Sequence, residues 1–157
     1  VMVREYDDLV FTVIGDSGFG GLSITELKND FENDNIIFEG WQNDVNAKLI
    51  KQDVLIFPSS YGEGLPKVLL EGASAGCILV STDCPGASDV IHQGRNGYIL
   101  ADSEVSSIIH IIKKIMKLSR QEVRDLKIHS LNLAVDEFNV EIVVNAVMKG
   151  ISEYESK

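Results

Sequence analysis

Short apolar runs alternate with amphipathic segments along most of the chain. The runs that predict strands are Leu9–Ile14, Ile36–Phe38, Val54–Phe57, Ile78–Val80 and Tyr98–Leu100. The segments between and after them have the three- and four-residue apolar spacing of helices. Strands that alternate with helices pack as a doubly wound parallel sheet. The sequence therefore predicts an α/β, Rossmann-like fold for a single domain over residues 1–157.

Capping residues set the expected ends of several helices. Ser23 followed by Glu26, and Ser119 followed by Glu122, are capping boxes. Asn43 or Asp44 is suited to cap a shorter helix. The expected helices cover residues 23–31, 43–51, 66–75, a turn within 84–91, 102–118, 119–136 and 139–154.

The strand at Val54–Phe57 leads into the part of the chain with the most candidate chemistry. Pro58 ends the apolar run, and a polar, glycine-containing loop follows over residues 58–65. Pro66 suits the first helical position and Gly76 the left-handed residue that closes a helix, which predicts a helix of about three turns. Ligands of open α/β sheets bind at the carboxyl ends of strands, so we expect a site at this loop.

Two glutamates and a lysine stand out in this segment. Glu71 is surrounded in sequence by residues that are typical of a buried face, so its carboxylate needs a partner. Lys67 lies in the first helical turn, where a cation opposes the helix dipole by a few tenths to ~1 kcal/mol. A phosphate would satisfy Lys67 and the backbone N–H groups of Gly64, Leu65, Lys67 and Val68. The alternative is a plain ion pair between Lys67 and Glu71 on a solvated face, in the weaker orientation.

The motif carried by this segment resembles a known enzyme family. Residues 58–91, P-S-S-Y-G-E-G-L-P-K-V-L-L-E-G-A-S-A-G-C-I-L-V-S-T-D-C-P-G-A-S-D-V-I, and the later G-R-N-G-Y-I-L are similar to the C-terminal, donor-binding half of retaining GT-B glycosyltransferases of family 4. The core E-G-L-P-K-V-L-L-E is most similar to the branch that builds bacterial capsule, O-antigen and other envelope polysaccharides. The sequence departs from the family at Gly72, where Ala is usual, and at Asp89, where Glu is common.

The resemblance implies a role for each part of the segment. Glu71 would bind the ribose hydroxyls of a nucleotide-sugar donor, and Glu63 would be the active-site residue that meets the transferred sugar. The donor diphosphate would lie against Gly64, Leu65, Pro66, Lys67 and Val68. Helix dipole and basic side chains would stabilise the leaving diphosphate, so no metal and no other cofactor is expected. UDP is the expected nucleotide.

Two further strand ends carry candidate binding residues. The loop after the first strand, G-D-S-G-F-G-G, lacks the G-x-G-x-x-G spacing of a dinucleotide site, and a plain turn is the alternative. The resemblance places Gly15 and Asp16 near the nucleotide. Gly40 and Trp41 follow the second strand, where the indole ring either packs in the core or lies beside a flat base.

Composition excludes several other classes of protein. The net charge of −10 argues against nucleic-acid binding and against docking of this part on an anionic membrane. No run approaches the roughly 18 apolar residues of a membrane span, and no signal peptide is evident, so we expect a cytoplasmic location. Cys77 and Cys84 lack the second Cys or His pair of a zinc site and are expected to be core or loop thiols.

The resemblance also implies a larger enzyme. Family members begin this half with a central strand that carries a Gly-Arg and a downstream Lys for the donor phosphates, and this sequence starts after it. We therefore expect a fragment that transfers no sugar alone. A separate N-terminal domain would bind the saccharide or lipid-linked acceptor and make any membrane contact. The alternatives are a GT-B-fold nucleotide-sugar epimerase or phosphorylase, and a non-enzymatic flavodoxin-like binding domain.

Overall fold

The chain forms two compact units, Val1–Val45 and Asn46–Lys157. The computed structural model describes Met2, Tyr6 and residues 8–15, 23–31, 33–59 and 64–155. Each unit contains parallel strands with helices between them in sequence. The predicted α/β class, with parallel strand pairing, is confirmed.

The first unit is built from two parallel strands and one helix. Strand β1 (Phe11–Ile14) pairs with β2 (Ile36–Gly40), and helix α1 (Ile24–Asp30) lies between them in sequence. The predicted capping box of α1 is confirmed. The Ser23 backbone N–H donates to the Glu26 carboxylate at 2.7 Å, and the Glu26 backbone N–H donates to the Ser23 hydroxyl at 3.2 Å. The Glu26 carboxylate also accepts a bond from the Ser23 hydroxyl at 2.7 Å, and the two bonds that it accepts, from the backbone N–H and the hydroxyl of Ser23, lower the pKa of Glu26.

The second unit is a three-stranded parallel sheet with helices on both faces. Its strands are β3 (Val54–Phe57), β4 (Ile78–Thr82) and β5 (Gly97–Leu100), in that order across the sheet. Its helices are α2 (Asn46–Leu49), α3 (Lys67–Ser74), α4 (Ala87–Val90), α5 (Val105–Met116), α6 (Arg120–Asp136) and α7 (Val140–Glu155).

Alternate side chains of β4 pack on opposite faces of the sheet. Ile78 and Val80 belong to a core cluster that includes Ile115 of α5. Leu79 faces α3, where a β-carbon on Gly72 would approach its side chain to 3.0 Å and would collide with a neighbouring leucine of β3. An alanine at position 72, the usual residue of the family, would therefore require the Leu55 side chain to move aside.

Helix α6 packs across the amino ends of the strands. The buried Ser130 hydroxyl donates to the Cys77 carbonyl oxygen at 2.7 Å and approaches that of Asn96 at 3.3 Å. The Lys127 ammonium group pairs with the Asp53 carboxylate at 2.8 Å. Asp53, Cys77 and Asn96 each come just before a strand, so α6 covers the edge of the sheet where the strands begin. The candidate loops leave from the opposite edge, where the strands end.

The ends of α3 differ slightly from the prediction. Pro66 is the N-cap and not the first helical residue, because its ψ of 112° is extended although its φ of −64° suits a helix. Gly76 has the predicted left-handed conformation, with φ of 72°. Because Pro66 and Ala75 are cap residues, α3 has eight helical residues and about two turns instead of three.

Two other helices begin later than predicted, and a local hydrogen bond explains one of the shifts. Helix α5 starts at Val105 because the Asp102 carboxylate accepts the Glu104 backbone N–H at 3.0 Å and holds the preceding residues in a turn. Helix α2 starts at Asn46, and the side chain of Asn43 accepts a bond from the Trp41 indole N–H at 3.3 Å.

Both cysteines are buried and unpaired, which confirms the prediction of core or loop thiols. The Cys77 thiol donates to the Leu49 carbonyl oxygen at 3.4 Å. Burial raises the pKa of Cys77 to about 11. Among the residues that the structure describes, no helix combines the length and the apolar character that crossing a membrane would require.

Candidate functional site

The carboxyl ends of β3, β4 and β5 lie along one edge of the sheet, which we call the carboxyl edge. Phe57 pairs with Ser81, and Thr82 pairs with Leu100, so the three strands end side by side. The loop that precedes α3 leaves from this edge, as predicted. Residues 60–63 lie outside the described part of the chain, so the role of Glu63 stays a prediction.

Lys67 and Glu71 are in contact on α3. The Lys67 ammonium nitrogen lies 3.3 Å from a Glu71 carboxylate oxygen, and the two side chains are 87% and 27% exposed. Glu71 is therefore half-buried, which is intermediate between the buried position and the solvated face considered from sequence. Because the Lys67 end is exposed to solvent, the pair contributes ~0–1 kcal/mol, so either partner can exchange it for a ligand at small cost.

The start of α3 is accessible and positively polarised. The first backbone N–H groups of any α-helix lack intrahelical acceptors and carry the positive end of the helix dipole. Beside them, a β-carbon on Gly64 would meet no atom of the described residues within 4 Å. Pro66 is buried, whereas Leu65 is 40% exposed. An anion could therefore approach the backbone at Gly64 and the Lys67 ammonium group together.

Two buried hydroxyl groups of β4 hold the chain where it leaves β3. Ser81 donates to the Phe57 carbonyl oxygen at 2.7 Å, and Thr82 donates to that of Ser59. Ser81 is fully buried and Thr82 is 7% exposed. This role was not predicted from sequence, although two hydroxyl residues at the end of an otherwise apolar strand are a usable signal.

The connection after β4 also contacts the loop before α3. Gly86 has a φ of 80°, and a β-carbon there would collide with the Gly64 carbonyl group and lie 2.9 Å from the Leu65 α-carbon. Backbone packs directly against backbone at this point, which only glycine permits. This role of Gly86 was not predicted from sequence, because nothing in its sequence surroundings indicates a partner so distant in the chain.

In the first unit the structure brings together two of the predicted binding residues. The Gly15 backbone N–H donates to the Gly40 carbonyl oxygen at 2.9 Å. Gly15 follows β1 and Gly40 is the last residue of β2, the parallel strand beside it. The strand pairing is irregular between Val13 and Ile14. Asp16 lies outside the described residues, so its role stays a prediction.

Trp41 does not pack in the core. Its side chain is 75% exposed, and its indole N–H donates to the Asn43 side chain at 3.3 Å. The core alternative for this residue is therefore wrong. Its placement beside a nucleotide base stays a prediction.

The parallel α/β fold with a loop and helix start at the carboxyl edge defines a Rossmann-like domain. The sequence matches the family described as glycosyl transferases group 1 over residues 1–118, well over half of the chain. The chain belongs to this family.

One relative is the UDP-Gal:alpha-D-GlcNAc-diphosphoundecaprenol alpha-1,3-galactosyltransferase of Escherichia coli. It is 23% identical over 153 residues, which are 88% of this chain and 38% of that enzyme. The chain thus spans about two fifths of the length of this curated relative.

Two solved structures share the fold. Anabaena HepE in complex with UDP gives a TM-score of 0.82 at 19% identity, over 92% of this chain and 41% of HepE. The C-terminal domain of LpcC, a glycosyl transferase group 1 family protein of Francisella tularensis, gives 0.75 at 18% identity, over 88% of this chain and 74% of that domain. The predicted fold, the C-terminal half of a GT-B architecture, is confirmed.

Proposed function

We propose that this chain is the nucleotide-sugar-binding half of a retaining glycosyltransferase. It would serve the transfer of a hexose or N-acetylhexosamine to a growing polysaccharide or lipid-linked saccharide. The observation that carries the proposal is the position of Lys67 and Glu71 on the first turns of α3, at the carboxyl edge, in a chain of the glycosyl transferases group 1 family. HepE is seen with UDP and the E. coli relative is named for UDP-Gal, which favours a UDP-linked donor.

The two charged side chains would separate when the donor binds. Lys67 is 87% exposed and free to turn toward a diphosphate at the helix start, where the dipole already favours negative charge. Glu71 would then accept hydrogen bonds from the ribose hydroxyls. As the bond to the transferred sugar breaks, negative charge grows on the diphosphate, and the same helix start and ammonium group would stabilise it. Glu63 would bind the sugar hydroxyls.

The roles that the family resemblance gives to residues of the first unit stay predictions. These residues are Gly15, Asp16, Gly40 and Trp41, as contacts of the nucleotide. An N-terminal domain would bind the acceptor, as the resemblance implies, and would make any contact with a membrane. The inability of these 157 residues to transfer sugar alone stays a prediction.

A ligand series tests the proposal against the alternatives. The chain should be stabilised against heat by UDP, GDP or ADP and not by FMN, because a ligand at 100 times its Kd adds about 2.7 kcal/mol to the free energy of unfolding. Thermal unfolding with each compound at millimolar concentration measures this, with pyrophosphate as a control for the phosphates alone. Stabilisation by FMN alone would favour the flavodoxin-like alternative. No response to any nucleoside diphosphate would contradict the proposal.

Donor binding should not require a divalent cation. A helix start and Lys67 are proposed to hold the diphosphate, and among the residues that the structure describes no group of three His, Cys, Asp or Glu side chains could hold a metal ion. Calorimetric titration of UDP should give the same Kd in EDTA and in excess Mg²⁺, within about threefold, a difference below 1 kcal/mol. A gain in affinity of about tenfold with Mg²⁺ would be evidence for a metal-bridged diphosphate.

A further inference from the structure

We infer that Thr82 and Gly86 are positioning residues of the proposed donor site. They lie at and after the end of β4, and they hold opposite ends of residues 58–65, which we call the donor loop. The inference rests on the proposed function, because it connects both residues to nucleotide binding through the loop that they contact.

Thr82 holds the beginning of the donor loop. The strand pairing between β3 and β4 ends with Phe57 opposite Ser81. Ser59 lies two residues further on, and the Thr82 hydroxyl donates to its carbonyl oxygen. Thr82 is only 7% exposed and Ser59 is half-buried, so this bond is partly shielded from water. The attachment of β3 to β4 thereby continues past the last paired residues and into the loop.

Gly86 holds the end of the donor loop. Its backbone lies against the Gly64 carbonyl group and the Leu65 α-carbon, so closely that any side chain would collide with the loop. Its φ of 80° independently favours glycine. Because Gly64 and Leu65 lead directly into α3, this contact sets where the helix start and Lys67 lie.

The two contacts hold points on either side of the proposed sugar-binding residue. Only residues 60–63 lie between Ser59 and Gly64 in sequence, and Glu63 is one of them. Fixing the ends before the ligand arrives would reduce the ordering cost of binding.

Removal of the Thr82 hydroxyl tests the inference. Thr82→Val keeps the shape of the side chain, and we expect UDP affinity to fall about fivefold to tenfold, the size of effect of one buried hydrogen bond. Thr82→Ser keeps the hydroxyl and should restore affinity to within about twofold of the parent chain. Isothermal titration of UDP into the 157-residue chain measures both. Gly86→Ala should weaken UDP binding more than Thr82→Val, with the fold checked by circular dichroism.

Ser81→Ala is the matched control. This variant also removes a hydrogen bond from a buried hydroxyl group, the bond from Ser81 to the Phe57 carbonyl oxygen. Phe57 is already held in place by the pairing of β3 with β4. It should lower the melting temperature about as much as Thr82→Val and leave UDP affinity unchanged. Equal affinity of the parent and Thr82→Val, or equal losses in Thr82→Val and Ser81→Ala, would overturn this inference alone. A parent chain that binds no nucleoside diphosphate would overturn the proposed function together with it.

Discussion

Replacing Gly97 with alanine should destabilise the second unit by about 3 kcal/mol, at the upper end of what overpacking usually costs. Gly97 begins β5 and pairs with Leu79 of β4. A β-carbon there would collide with the Leu79 carbonyl oxygen, and that strand is fully buried. A side chain in that place could rotate away from the new β-carbon. The Leu79 backbone can move only if the hydrogen bonds between β4 and β5 break. Urea unfolding followed by circular dichroism gives the change in free energy.

Gly150→Ala is the control for the alanine substitution itself. Gly150 lies within α7, and a β-carbon there would meet nothing within 4 Å. Alanine favours an α-helix over glycine by up to ~1 kcal/mol, so this variant should be as stable as the parent or more stable. A Gly97→Ala protein with the urea midpoint of the parent would contradict the close approach of β5 to β4.

The features predicted correctly from sequence are those with local causes. The capping boxes at Ser23 and Ser119 each act within one helical turn, and both are formed. Strand β3 has its predicted bounds because an apolar run ends at a proline. Gly76 closes α3 because the left-handed conformation is a property of one residue. In each case the determining atoms lie within four residues of one another.

The features that sequence could not predict depend on partners far along the chain. Thr82 and Ser59 are 23 residues apart in sequence, and their contact exists only because β3 and β4 are neighbours in the sheet. The same holds for Gly86, which resembles any loop glycine until the Gly64 carbonyl group is placed against it. The core interpretation of Trp41 was wrong for a related reason. Its apolar ring favours burial, but the fold leaves the side chain exposed.

The half-buried position of Glu71 also changes how the two charged residues should be tested. Because Lys67 and Glu71 are paired without ligand, removal of the carboxylate has two effects on UDP binding. It frees Lys67 for the diphosphate, which returns at most ~1 kcal/mol because the Lys67 end of the pair is exposed to solvent. It also replaces a charge-assisted bond to the ribose with a neutral one, at a cost of roughly 1–2 kcal/mol. The loss is the larger of the two, so the net change is weaker binding.

Glu71→Gln should therefore weaken UDP binding, by about fivefold and at most about thirtyfold. Uridine should be weakened at least as much, since it has the ribose but gains nothing from a free Lys67. Lys67→Met keeps the apolar stem of the side chain but removes its charge. It should lower affinity for UDP and leave affinity for uridine unchanged. Calorimetric titration of both ligands into the parent and both variants separates ribose binding from phosphate binding.

The third variant, Glu63→Gln, extends the test to the sugar. If Glu63 meets the transferred sugar, this variant should bind UDP like the parent and lose affinity only for the intact UDP-sugar. If the Lys67–Glu71 pair has only a structural role, Glu71→Gln should lower stability by less than about 1 kcal/mol and leave UDP affinity unchanged. Equal affinities of folded parent, Glu71→Gln and Lys67→Met for UDP would leave that pair as a surface contact of α3. The proposed site would then lose its main support, because no other described side chain on α3 offers charge to a nucleotide at the carboxyl edge.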